Sequence, residues 1–288
     1  MNRITVLTPA KVNLYLRIVG RRADGYHLLD SLMVPVNLYD ELTIAASSSQ
    51  PEIVVTCDDP TIPGDATNLA YKAAALLCRE TGIQAKISIA LRKFIPAGAG
   101  LGGGSSDAAA VLKGLNLLLS LRLAEDQLCA LAARLGADVP FFIPCRPAKV
   151  TGIGEILAAV PPLPSRWLVI VVPPFGVSTP WAYRRFDELP LAGMPPVDVS
   201  RQWLVNQWAV ELLINDLEQA VLPEYPQIGR IKAHLLRLGA EGALMSGSGS
   251  AVFGVFQSLT GAEQSATALA GQGKTFVVEP LAGPPTIG

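Results

Sequence analysis

Histidine is nearly missing from this 288-residue chain, which has only His27 and His234. The four cysteines, Cys57, Cys78, Cys129 and Cys145, lie far apart with no CxxC pair, so a His/Cys zinc centre cannot be assembled. In a chain of this length the same spacing fits reduced, buried thiols better than a disulfide framework. Charge is scarce as well. Charged residues make up 16% and sum to a net charge of −1, without the basic excess that a nucleic-acid partner asks for. Half of the residues are hydrophobic, which permits a sizeable core and excludes global disorder.

Long uninterrupted apolar runs are also absent, although a mean hydropathy of +0.37 raises the question of a membrane. A spanning helix needs roughly 20 apolar residues. The longest charge-free windows are Trp167–Tyr183, which contains Pro173, Pro174 and Pro180, and Gly242–Ala262, which contains five glycines and four serines. Neither suits a lipid-facing helix. The opening MNRITVLTPAK has no apolar signal-peptide core and reaches Lys11 early. The expectation is a cytosolic protein that binds neither membrane nor nucleic acid.

Periodicity predicts strands at Ile4–Leu7 and Val12–Val19, the second with Val12, Leu14, Leu16 and Ile18 on one apolar face. Asp24-Gly25 marks a hairpin-type turn within Arg21–Tyr26. Further strands are expected at Leu42–Ala45, Ile53–Cys57, Ala85–Leu91, Trp167–Val172, Ala251–Phe256 and Phe276–Glu279, with short strands flanking a turn in Ala148–Leu157. Helices are expected at Asn68–Arg79, after residue 107, and at Glu125–Leu135, Trp203–Leu213 and Ile228–Leu238. Val160-Pro161-Pro162-Leu163-Pro164 is the linker candidate, and LAGPPTIG at the end reads as a poorly ordered tail. This mixture without strict βα alternation points to an α+β fold.

The strongest chemical signal is Pro96-Ala-Gly-Ala-Gly-Leu-Gly-Gly-Gly-Ser-Ser-Asp107, where five of the seven residues from Gly98 to Gly104 are glycine. Glycines let successive N–H groups turn toward one point, and the following helix adds unpaired amides and a positive dipole end. The product is a phosphate site built from Gly98, Gly100, Leu101, Gly102, Gly103 and Gly104. Ser105 and Ser106 are available as hydroxyl donors or magnesium ligands. A plain helix cap would need only one of those serines. No lysine follows the glycines, so the loop is not of the Walker A type. Gly98-x-Gly100-x-x-Gly103 also satisfies a dinucleotide pattern, with Glu125 about 20 residues on. However, Lys93–Pro96 separates strand from loop, and Glu125 opens a helix instead of ending a strand.

In this setting the loop resembles the phosphate loop of the GHMP kinase superfamily. Further segments match that family in order: Pro9-Ala-Lys-Val-Asn-Leu-Tyr-Leu16 with Gly20-Arg-Arg-Ala-Asp-Gly-Tyr-His27, Leu135-Gly-Ala-Asp-Val-Pro140, Gly152-Ile-Gly-Glu155 and Ser246-Gly-Ser-Gly249. The resemblance implies a two-domain α+β fold with the active site in the cleft between domains. An N-terminal ribosomal-S5-like domain (1–159) would carry the ATP loop, and a C-terminal α/β-plait domain (160–288) would bind substrate. It implies ATP and Mg2+ as cofactors, with the metal's protein ligands unassigned, and a monomer or weak homodimer. Within the superfamily, Gly25-Tyr26-His27 and Leu135–Pro140 favour 4-diphosphocytidyl-2-C-methyl-D-erythritol as substrate, phosphorylated on its 2-hydroxyl in the non-mevalonate isoprenoid route. Homoserine kinases, mevalonate kinases and diphosphomevalonate decarboxylases share the loop and remain alternatives. So does a nucleotide-binding protein without catalysis, against which intact Lys11 and Asp138 count.

The resemblance also implies roles for individual residues. Asp138, by itself equally readable as a turn former, corresponds to the catalytic base. Lys11 would pair with it and polarise the acceptor hydroxyl, and Asn13, two residues along the same strand face, would hold that hydroxyl. Tyr26 and His27 would recognise the cytosine ring, with Tyr183 stacking on its other side and Trp181 as the competitor for that place. Gly247 and Ser248 would close on substrate phosphates. Pro96, Asp107, Lys93 and Asn68 would join the loop in contacting ATP.

Overall fold

The computed structural model describes residues 2–48, 50–161, 163–189 and 212–285. Two long antiparallel strands, β1 (Asn2–Arg21) and β2 (His27–Ser47), form its spine. The expected strands at Ile4–Leu7 and Val12–Val19 are one strand, because Pro9 does not break it. Proline cannot donate to the ladder and is accommodated at a bulge, and the register indeed shifts between Pro9 and Ala10. A second shift between Asn13 and Tyr15 re-aims the chain so that Leu14 and Tyr15 are both buried. Arg22–Tyr26 forms the connecting turn, as Asp24-Gly25 predicts.

Around this spine β3 (Glu52–Cys57), β4 (Lys86–Arg92), β5 (Ala148–Thr151), β6 (Ile156–Ala159) and the two-residue β8 (Ile214–Asn215) complete a seven-stranded sheet. Its main order is β3-β4-β2-β1-β8, and β5 pairs with both β2 and β6. Three helices cover one face: α1 (Leu69–Thr81), α2 (Gly103–Leu118) and α3 (Glu125–Ala133). The apolar stripe of α2 (Ala108, Val111, Leu112, Leu115) packs with α1 and with Leu42, Ile44, Ile87 and Ile89 of the sheet. Each fully buried Val, Leu or Ile side chain contributes roughly 1.5–3 kcal/mol.

The second sheet is antiparallel, in the order β11-β7-β10-β9, with β7 Trp167–Val172, β9 Gly242–Met245, β10 Val252–Phe256 and β11 Lys274–Val278. Strand β7 is apolar on both faces because both are covered. Leu168 and Ile170 meet Val12, Leu14, Val34 and Val36 of the first sheet. Val169 and Val171 meet a second group of helices. These are α4 (Thr179–Asp187), α5 (Glu218–Glu224), α6 (Pro226–Arg237) and α7 (Leu259–Leu269). The molecule is thus helices, sheet, sheet, helices, an α+β arrangement. Strand β9 and helices α4, α5 and α7 are not anticipated by the periodicity.

The expected helix at Trp203–Leu213 falls almost wholly outside the described residues. The C-terminal tail is less free than its composition suggests: Leu281 N donates to Pro35 O at 2.8 Å, and Pro280 bridges to Val36. No helix among the described residues is long and apolar enough to cross a membrane.

Candidate active site

The glycine loop leaves β4 under tight control. Asp40, fully buried near the middle of β2, accepts from the backbone N–H of Phe94 at 2.6 Å and of Ile95 at 2.8 Å. Its other oxygen bonds Lys93 Nζ, which also donates to Asp107 Oδ2 at 2.6 Å. Thr8 Oγ1 donates to Asp107 Oδ1 at 2.8 Å. Two buried carboxylates therefore share one ammonium. Burial pushes the Asp107 carboxyl up to about 6, against the pull of Lys93. Burial also opposes the Lys93 charge, but Asp107 and Asp40 more than offset that and hold its pKa above the ordinary lysine value. Both ends of the loop are fixed by this triad.

The glycines then meet close neighbours. Gly100 has φ +78°, and a Cβ there would lie 2.1 Å from Ser246 O. Gly102 has φ +74°, and its Cβ would press on Phe142 and on the Lys11 side chain. The loop is interlocked with the second glycine turn, Ser246–Gly249. Ser246 Oγ donates to Gly100 O at 3.0 Å, and Ala251 N donates to Ala99 O at 3.1 Å.

That second turn is held from behind by residues whose role the sequence reading missed. Asn215 gives its amide protons to Met245 O (2.8 Å) and Gly247 O (2.7 Å), and its Oδ1 accepts from Leu217 N. Asp216 is bonded to Arg17 Nε and to Ile18 N of β1, and Glu218 accepts from Met245 N while pairing with Lys232. The only local signal was an Asn-Asp pair before a short helix, which sequence reasoning treats as ordinary turn chemistry.

Lys11 lies opposite, on β1. It is 3% exposed, yet its ammonium faces the cavity, 2.6 Å from Asn13 Oδ1 and 3.5 Å from Asp138 Oδ2. Asn13 is held by Ser31, to whose Oγ its amide donates at 2.9 Å, and Ser31 donates to Tyr15 O. Ammonium, amide and hydroxyl thus form one chain, aimed at Asp138 between α3 and a short 3-10 turn at Pro140–Phe142. The Asp138 side chain is 33% exposed and so open to the cavity. Gly247 closes this corner: a Cβ on it would lie 3.3 Å from Lys11 Nζ.

Helix α4 forms the adjoining wall. Its residues Thr179, Tyr183 and Asp187 recur every four positions and share one face. Thr179 Oγ1 is 2.8 Å from Ser248 Oγ. Tyr183 stacks on His27 with ring centroids 4.9 Å apart, and burial and then the neighbouring Asp138 charge push its phenol pKa up. Asp187 Oδ1 is 2.6 Å from His27 Nε2, and its Oδ2 is 3.2 Å from Arg21 Nη1. Trp181 packs instead on the edge of Tyr225.

A cavity of about 580 Å³ opens between these parts. It brings together Lys11, Asn13, Asn68, Lys93, Asp107, Asp138, Tyr183, Gly247 and Ser248 with the loop from Pro96 to Ser105. Three sequence candidates stand apart from that lining. Ser106 turns inward, its hydroxyl buried, and borders a separate 20 Å³ space beside Thr8 and Lys113. Tyr26 is 60% exposed, and His27 stacks on the cavity residue Tyr183 without itself bordering the cavity. Asn68 reaches the cavity while capping α1, with Oδ1 accepting from Ala70 N and Nδ2 donating to Pro63 O. Asp107 and Lys93 face each other across the loop's base, which makes them anchors of the loop as well as wall. Among the described residues, no three histidine, cysteine or acidic side chains are placed to hold a metal ion by themselves.

Comparison with known proteins bears on this geometry. Residues 68–145 match the model for the GHMP kinases N terminal domain, and residues 204–275 that for the GHMP kinases C terminal. A protein of Syntrophotalea carbinolica named 4-diphosphocytidyl-2-C-methyl-D-erythritol kinase is 46% identical over 277 residues, covering 96% of this chain and 98% of its own. One of the same name from Citrifermentans bemidjiense is 44% identical over 271 residues, covering 94% and 95%. A crystal structure of a 4-(cytidine 5'-diphospho)-2C-methyl-D-erythritol kinase superposes with a TM-score of 0.81 at 37% identity, covering 97% of this chain and all of that one.

Proposed function

The chain belongs to the GHMP kinase family, and from that premise we propose that it transfers the γ-phosphate of ATP to the 2-hydroxyl of 4-diphosphocytidyl-2-C-methyl-D-erythritol. The observation that carries the mechanism is the Lys11–Asp138 pair, 3.5 Å apart, at the corner where the two glycine turns meet. Phosphoryl transfer asks for a cradle for the triphosphate, fixed positive charge and a group to receive the hydroxyl proton. Backbone amides of Gly98–Gly104 and the start of α2 supply the cradle. Asp138 takes the proton from the acceptor hydroxyl. Lys11, kept in place by Asn13 and Ser31, holds the oxygen on which charge develops. Because Asn13 is already bonded to Lys11 and Ser31, its part is to aim the ammonium, in addition to any contact with the hydroxyl.

Magnesium, when bound with ATP, would supply positive charge that offsets that of the phosphates. Such an ion is commonly shared between phosphates, water and one or two protein oxygens. The donors here fit that pattern: Ser105 borders the cavity beside the glycines, and no all-protein cage competes with it among the described residues. On the substrate side, Gly247 and Ser248, which line the cavity, are assigned to the diphosphate, and Tyr26, His27 and Tyr183 are the groups available to a pyrimidine. The division of labour between residues 1–159 and 160–288 belongs to this proposal too, although β8 and Asn215 tie the second segment into the first sheet. The experiment is turnover by purified protein with MgATP. The cytidyl substrate should be consumed, with mevalonate and homoserine ignored; failure on the cytidyl compound would overturn the reading.

A further inference from the structure

The contact between His27 and Asp187 joins residues 160 positions apart, and nothing in the proposed phosphoryl transfer uses it. A carboxylate can only accept, so at 2.6 Å the Nε2 of His27 must be the donor. In a neutral imidazole that choice fixes the tautomer: Nδ1 becomes an acceptor with no proton. No partner for Nδ1 appears among the described residues, whereas Nε2 and one ring face are both engaged. Tyr183 covers one face at 4.9 Å, the side chain is only 10% exposed, and Arg21 Nη1 lies 3.2 Å from the other oxygen of Asp187. Asp187 and Tyr183 stand one turn apart on α4, so a single rigid helix supplies both the stacking surface and the tautomer-setting carboxylate.

We propose that Asp187 is a positioning residue that sets base specificity: it holds the Nε2 proton of His27, leaving Nδ1 to accept from the exocyclic amino group of cytosine and to repel the O4 carbonyl of uracil. The proposal rests on the reading of a cytidyl substrate given above. Its physical basis is an asymmetry. Cytosine presents a donor at the position where uracil presents an acceptor, and a site with a fixed acceptor pairs with the first and opposes the second. A histidine free to change tautomer would accommodate both. A polar site that leaves one group unpaired discriminates far more strongly than an apolar pocket does.

The test combines a spectrum with kinetics. Because the chain has only two histidines, long-range 1H–15N correlation at about pH 8, where imidazole is ordinarily neutral, can report the tautomer of each. Wild type should show His27 protonated at Nε2, and Asp187→Ala should lose that bias. With MgATP, Asp187→Ala should raise KM for the cytidyl substrate about tenfold while leaving kcat within about threefold, and should narrow the preference over the uridyl analogue by about tenfold. Asp187→Asn, which keeps an acceptor oxygen, should restore most of the preference, which a purely structural ion pair would not do. An unchanged tautomer or an unchanged cytidyl-to-uridyl preference in Asp187→Ala refutes the role of Asp187 alone. If the wild type turns over neither compound, the reaction itself has been misassigned and the specificity role falls with it.

Discussion

Gly100→Ala is the sharpest probe of how the two glycine turns depend on each other. The added methyl would lie 2.1 Å from Ser246 O, where real contacts begin at 3.0 Å or more, so the turns must part by about 1 Å. An alanine at φ +78° adds roughly 1–2 kcal/mol of backbone strain. Parting the turns also stretches two hydrogen bonds, Ser246 Oγ to Gly100 O and Ala251 N to Ala99 O, each worth about 0.5–1.5 kcal/mol. The sum is a destabilisation of roughly 2–5 kcal/mol. A 1 Å displacement beside the reacting groups should lower kcat by about 100-fold. Gly98→Ala is the matched control. Its φ is +65°, but nothing lies within 4 Å of the added methyl, so only the backbone cost applies. Urea unfolding and saturating kinetics on both variants separate the two contributions. If Gly100→Ala is no worse than Gly98→Ala in both, the interlock has no energetic weight and the reasoning fails.

Asp138→Asn should reduce kcat by at least about 100-fold with ATP affinity nearly unchanged; activity within about tenfold of wild type, measured in single turnover, would remove Asp138 as the base. Asn215→Ala strands two buried carbonyls and should cost about 2–4 kcal/mol in chemical unfolding, and a loss below about 0.5 kcal/mol would show that the Gly247 turn stands without it. The Asp107 carboxyl, raised to about 6 from an unfolded value near 3.8, holds its proton longer in the fold. Its contribution is therefore complete below pH 3.8 and is lost as pH rises through 6. Relative to Asp107→Asn, the wild type should lose stability as pH rises through that window; a difference flat in pH would mean that the Lys93 pairing keeps Asp107 ionised throughout.

Much of the frame is readable from the chain, and the exceptions have physical causes. Strand β7 is plain because a six-residue apolar run stopped by Pro173-Pro174 is too short for a helix and reads as a covered strand. Strand β1 misleads. Val12, Leu14 and Leu16 alternate as a half-buried strand should, but Asn13 between them and Lys11 and Arg17 on either side are buried as well. Lys11 and Asn13 line the cleft and Arg17 pairs with buried Asp216, and polar residues so placed have the same periodicity as ones facing solvent. Helix α4 is hidden by Pro180 and by the Pro173-Pro174 pair just ahead of it. Ser178 followed by a proline in the first turn was the available start signal. For the site, the glycine loop is local and so legible. Asp40, Ser31, Asn215 and Asp187 act across 18 to 160 positions and carry no spacing that would reveal them.

The apolar layer between the two sheets has a consequence for how ligands come and go. Val12 and Leu14 on one side and Ile170 and Phe253 on the other would have to meet water if the halves swung apart. At about 1.5–3 kcal/mol for each side chain, exposing these four costs roughly 6–12 kcal/mol, as much as the entire stability of an ordinary domain. A hinge of that kind is therefore closed to this molecule. Substrate must pass through movements of turns and of α4 over a floor that stays put, and the two halves should melt as one cooperative unit.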